Sequence, residues 1–112
     1  MTSDPAHHAE ASFDRLAAPL LDQPDVSRST MMGLPCLRRA GAFFASFDQR
    51  TGNLVVKLSE ARVTELIETV QALPFAPAGR RFRRWAAIPP SPTSDETWAD
   101  LLTEAHAFAG GG

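Results

Sequence analysis

Apolar residues along the chain recur first at a helical spacing, then at a spacing of two, then at a helical spacing twice more. Phe13, Leu16, Ala17, Leu20 and Leu21 follow i, i+3, i+4, i+7 and i+8, which draws one stripe along a helix. Asp4 and Pro5 supply its N-cap and first position, since aspartate accepts a free backbone N–H and proline loses nothing there. Pro19 conflicts with the last turn, because an interior proline removes a hydrogen bond and pushes Ala18 away from helical geometry. From Val26 to Leu58 the period shortens toward that of a pleated strand. "SRSTMMGLPCLRR" reads as one bent strand interrupted by Gly33 and Pro35, and Ala40-Gly41 as a turn. "AFFASF" then sets Phe43, Ala45 and Phe47 on one face, and after "DQRTGN" the stretch "LVVKL" aligns Leu54 and Val56 with Leu58. The expectation is a three-stranded antiparallel meander.

Ser59 caps a second helix, with Glu60 in the first turn, where the positive end of the dipole favours a carboxylate. Val63, Leu66, Ile67, Val70 and Leu73 continue its stripe. "LPFAPAGRR" carries the prolines and glycine of a loop, and "FRRWAAIPP" looks extended until Pro89 and Pro90 end it. Thr93 and Glu96 form a capping box for a third helix, striped by Trp98, Leu101, Leu102, Ala105, Phe108 and Ala109. The order is helix, three strands, helix, one or two strands, helix. An α+β fold follows, an antiparallel sheet with its helices on one face. Residues 1–112 make one domain with a core over about 9–109, and residues 1–4 and 110–112 are expected to be flexible.

Composition narrows the function by exclusion. No apolar run approaches the roughly 20 residues of a membrane-spanning helix, and the start of the chain lacks a secretory pattern, so a cytoplasmic location is expected. A single cysteine, Cys36, rules out an internal disulfide and a multi-cysteine zinc site. Between Leu34 and Leu37 it reads as a small buried hydrophobe, while Arg38 and Arg39 would favour its thiolate if the sulfur reached solvent. His7, His8 and His106 have neither ligand spacing nor a nucleophile partner, so no metal or cofactor is assigned. Glu65 with Glu68 and Asp95 with Glu96 lie on polar sides or first turns of helices as solvating charges. There is no phosphate-cradling glycine series and no nucleophile elbow. With no catalytic set, the chain reads as a non-enzymatic module.

The exception to this plain picture is "GRRFRRW", with Arg80, Arg81, Arg83 and Arg84 packed into a chain of net charge −2. In a regular strand Arg81, Arg83 and Trp85 share one face and Phe82 and Arg84 the other, which forbids one flat patch. Stacking on Trp85 and salt bridges to the acidic helices are the structural uses of such a run, and phosphate binding beside an exposed aromatic is the sharper one.

The order of residues resembles the TfoX N-terminal domain-like family, related to the YjbR/MmcQ-type proteins. The resemblance runs from about Phe13 to Phe108 through "MMGLPCLRRAGAFFASF", "LVVKL", "SEARVTEL" and "PFAPAGRRFRRWAAIP". It rests on Met31 with Gly33, Gly41 with Phe44, Lys57, Pro74-Phe75, Gly79-Arg80 and Trp85. Met32 stands where the family usually has an aromatic, and Phe82 where it commonly has a methionine. The resemblance implies a two-layer α/β sandwich in the order α-β(3)-α-β(2)-α, shared with secretion chaperones. It implies no catalytic residue, and DNA binding in some relatives. The first expectation is therefore a protein-interaction or regulatory module that binds a protein partner or a second copy of itself. The alternative is nucleic-acid binding by Arg80, Arg81, Arg83, Arg84 and Trp85 with Lys57, Arg38 and Arg39; a third, a ligand pocket near Cys36 and the Gly79-Arg80 loop.

Overall fold

A computed structural model describes residues 5–31, 33–76, 79–90 and 94–110. Three helices, α1 (Pro5–Leu21), α2 (Glu60–Glu68) and α3 (Ser94–Ala109), accompany six strands. These are β1 (Val26–Met31), β2 (Leu34–Arg39), β3 (Ala42–Asp48), β4 (Asn53–Lys57), β5 (Leu73–Pro74) and β6 (Trp85–Ile88). They form one antiparallel sheet in the order β1-β2-β3-β4-β6-β5. The fold is the expected α+β class. The meander, however, has four strands where the pattern suggested three. The single bent strand is a hairpin that folds back at Gly33, whose φ of 79° is open to glycine at no steric cost.

A bulge does exist, one turn further on. The β2–β3 register slips between Leu37 and Arg38, so that Leu37 faces Ala45 and Arg38 faces Phe43. Phe44 is the extra residue, and it joins Ala45 and Phe47 in the core beneath the helices. Phe43 therefore lies on the opposite face from the one its alternation with Ala45 and Phe47 indicated. Ala40 and Gly41 both take positive φ, 50° and 87°, as a two-residue turn matched to strand twist requires.

Side chains from all three helices and one face of the sheet make the main core. Ala9, Phe13 and Ala17 of α1, Val63 and Leu66 of α2, and Trp98, Leu101, Leu102 and Ala105 of α3 close over Leu37, Phe47, Leu54, Val56 and Ile88. Phe47 stands between Phe13 and Trp98, with ring centroids 5.7 and 6.3 Å away. Arg62 ties α2 to α3 by donating to Glu104 at 2.9 and 3.2 Å, and Arg15 pairs α1 with Asp95 of α3. Helix α1 continues through Pro19 to Leu21, because the ring sits on the exposed side and only one backbone bond is lost. The N-cap expected at Asp4 and the capping box at Thr93 lie outside the described residues.

Helix α2 is shorter than its stripe. Ser59 caps it as expected, accepting from the Arg62 N–H at 3.2 Å. After Glu68 the Thr69 hydroxyl bonds back to the Glu65 carbonyl at 2.8 Å. The N–H of Val70 then donates to Ile67 and that of Gln71 to Leu66, the paired bonds of a Schellman ending. Val70 occupies the left-handed position at φ 61° and is 89% exposed, while Leu73 lies in β5 and is half exposed. Neither belongs to the helix face that the spacing gave them. A β-branched residue at such a φ costs about 1–2 kcal/mol, so tertiary position, not propensity, ends this helix.

Cys36 is buried on the sheet face away from the helices, opposite Ser29 and Ser46 in the register. Burial pushes its thiol up, outweighing the nearby Arg38 charge, which acts to lower it. Held as a thiol at neutral pH, it should be alkylated in the native protein far more slowly than in the chain unfolded by urea. Equal rates in the two states would contradict this placement.

Candidate functional site

The sheet face opposite the helices carries a smaller apolar cluster at its β4–β6 end. Val55, Phe75 and Ala87 are buried there, with Phe82 and Trp85 packed against them. Phe75 is the anchor, its ring 6.0 Å from Phe82 and 6.4 Å from Trp85. Phe82, ahead of β6, folds over this cluster. The Phe82 N–H donates to the Phe75 carbonyl at 2.9 Å, and the Leu58 N–H to the Arg84 carbonyl at 2.9 Å, so the arginine segment is pinned at its middle and at its C-terminal end.

Only from Trp85 onward is the segment a strand; Arg83 and Arg84 form a turn before it. The alternation that would have split the arginines between two faces does not apply. Instead Arg80, Arg81, Arg83 and Arg84 line one groove of about 460 Å³ together with Lys57, Glu60, Phe82 and Trp85. Lys57 enters because it pairs with Trp85 across β4 and β6. Five cations thus surround an aromatic floor with a single carboxylate among them. The Arg80 guanidinium lies 5.8 Å from the Phe82 ring centre.

Arg38 and Arg39 part company, as adjacent strand residues do. Arg39 sits toward the helices, donating to Asp25 at 2.9 Å and to the His106 carbonyl at 2.8 Å. That contact holds the Asp25 carboxyl below its ordinary value and leaves Arg39 a structural residue. Arg38 lies on the groove side, its guanidinium 4.3 Å from the centre of the Phe43 ring. The register sets Arg38 opposite Phe43 on β2 and β3, and Lys57 opposite Trp85 on β4 and β6, two cation–ring pairs on the sheet face away from the helices. Phe43, Phe75 and Phe82 were named in the sequence but not read as site residues. The first depends on the bulge, and the other two on a loop whose path no periodicity records.

Ion pairing separates the cations into two sets. Of the eleven lysines and arginines, Arg15, Arg28, Arg39, Arg50 and Arg62 each hold a carboxylate within 3.2 Å. Lys57, Arg38, Arg80, Arg81 and Arg84 have no carboxylate partner among the described residues, and Arg83 has only a long 3.8 Å approach to Glu60. The second set is the groove together with Arg38.

Elsewhere the chemistry is sparse. Among the described residues no three His, Cys, Asp or Glu side chains are gathered as a metal would need. His106 packs edge-on against Phe44 in the helical layer, on the other side of the sheet from Cys36. A second hollow, about 390 Å³, lies by the β3–β4 turn between Asp48, Arg50, Asn53 and the Leu73–Ala76 edge. Cys36 lines neither hollow, so the pocket expected beside it is not among these two. No described helix is long and apolar enough to cross a membrane. Comparison with protein-family models, curated proteins and solved structures finds no match to this chain.

Proposed function

We propose that the protein binds nucleic acid through the groove formed by Lys57, Arg80, Arg81, Arg83 and Arg84. The observation that carries this reading is the segregation of cations. Arginines in the helical layer and at the turns are neutralised by internal carboxylates, whereas those around one groove are left to solvent. A net charge of −2 offers phosphate no general attraction, so affinity has to come from such a local concentration. The order of motifs shared with the TfoX N-terminal domain-like family accords with the same reading, since Lys57, Arg80, Arg84 and Trp85 are at once groove residues and motif positions. A protein-binding role in addition is favoured by one feature, the exposed apolar edge at Val70, Leu73 and Pro74.

Titrating fluorescent oligonucleotides at 50 to 200 mM salt tests the proposal. Neutralising five phosphates gives a log–log salt slope of about −4.5 for duplex or about −3.5 for a single strand. Affinity then falls by roughly 100- to 500-fold over that range. Absence of binding to either form at 50 mM salt, or binding that ignores salt, would overturn it.

A further inference from the structure

We infer that the polynucleotide bound is single-stranded, lying across the sheet from the Arg38–Phe43 pair to the Lys57–Trp85 pair and into the arginine groove. The inference rests on the nucleic-acid reading above and narrows it.

Charge alone would serve duplex and single strand alike; the rings discriminate. Phosphate contacts require only cations, yet here three of the cations are set beside an aromatic: Arg38 over Phe43, Lys57 opposite Trp85, Arg80 near Phe82. Phe43, Phe82 and Trp85 are all partly exposed on this face, and a ring face gains about 1–3 kcal/mol from a stacked base. Bases in a duplex are stacked on one another and cannot reach such a platform, while those of an unpaired strand can.

Shape points the same way. Reading a duplex in its major groove takes a helix or two-stranded ribbon projecting into a cleft about 12 Å wide. The three helices here close over the other side of the sheet, and the basic surface is a sheet face ending in a concavity. Such a surface receives a strand. From β2 to β6 the surface crosses three strand spacings, roughly 14 Å, enough for a short stretch of unpaired backbone. Arg38 extends the path beyond the groove. Its Nε is buried without a hydrogen-bond partner among the described residues, and its charge is balanced by no carboxylate there, so a phosphate beside Phe43 finds an uncompensated guanidinium.

The test compares oligo-dT, oligo-U and a mixed duplex, each of about 12 nucleotides, binding to the whole chain at matched salt. Oligo-dT against oligo-U separates DNA from RNA as the source of the strand. The expected result is tighter binding of one or both single strands than of the duplex, with quenching of tryptophan emission. Trp98 is fully buried beneath the helices, so the quench reports Trp85. Phe43→Leu and Trp85→Leu should each weaken single-strand binding roughly 5- to 100-fold while leaving the salt slope unchanged. Arg38→Gln, a change with little to disturb in the fold, should lower the slope by about 0.7. Duplex binding as tight as single-strand binding, or ring variants that are folded and bind normally, would overturn the single-strand inference and leave the nucleic-acid reading standing. Failure of all three probes to bind would overturn both.

Discussion

Trp98→Ala should lower stability by about 3–5 kcal/mol, a large share of the ~5–15 kcal/mol that holds such a domain folded. The indole is fully buried and packs edge-on to Phe47, itself stacked on Phe13, so one ring of α3 closes the contact between α1 and the centre of the sheet. Truncation leaves a cavity that α1, α3 and β3 cannot all collapse into, since each is fixed by its neighbours. Urea denaturation should show a lower midpoint with an unchanged slope, and melting should fall by on the order of 15 °C. Trp98→Phe provides the contrast. The Trp98 N–H is buried with no acceptor among the described residues, so the smaller ring gives up no hydrogen bond and removes an unsatisfied donor. Its cost should be well under half that of alanine; equal costs would show that the ring's packing is not what matters.

The triple variant R80A/R81A/R84A should abolish most binding while leaving the fold intact. All three side chains are exposed and without ion-pair partners among the described residues, so stability should stay within about 0.5 kcal/mol of the parent. Removing three phosphate contacts should reduce the salt slope by about 2 for a single strand and about 2.7 for a duplex, with affinity at 50 mM salt down roughly a hundredfold or more. The matched control is R15A/R28A/R50A, which also removes three positive charges, each paired with a carboxylate away from the groove, Asp95, Asp14 and Asp48. If both variants lose affinity equally, net charge rather than the groove is responsible. If neither does, the groove is not the site.

The helical stripes were legible because each reports a single face buried against a sheet. Phe13 and Ala17, Val63 and Leu66, and Trp98, Leu101, Leu102 and Ala105 all reach the core. Ends were less so. Val70 and Leu73 keep helical spacing, but the Thr69 hydroxyl and the left-handed Val70 stop α2 before them, a tertiary outcome that overrides local preference. The β1–β2 hairpin hid because Met31-Met32-Gly33-Leu34 runs almost unbroken in apolar character, and a turn there depends on the φ of one glycine. Of the site, the residues were readable and their arrangement was not. Lys57 and Trp85 lie 28 positions apart in the chain and meet only through the β4–β6 register, and the gathering of four arginines follows from a loop held over Phe75. Arg39 shows the converse error, where adjacency in sequence to Arg38 suggested a shared surface and strand alternation sends it to Asp25.

Pinning the arginine loop at Phe82 and Arg84 has an electrostatic consequence for the whole molecule. Lys57, Arg80, Arg81, Arg83 and Arg84 repel one another, and the bonds from Phe82 to Phe75 and from Leu58 to Arg84 keep them from drifting apart. That repulsion is greater in the native state, which brings Lys57 up to four arginines that are neighbours in sequence in any state of the chain. Counter-ions relieve it, and a bound polyanion relieves it most, so occupancy of the groove and resistance to unfolding rise together.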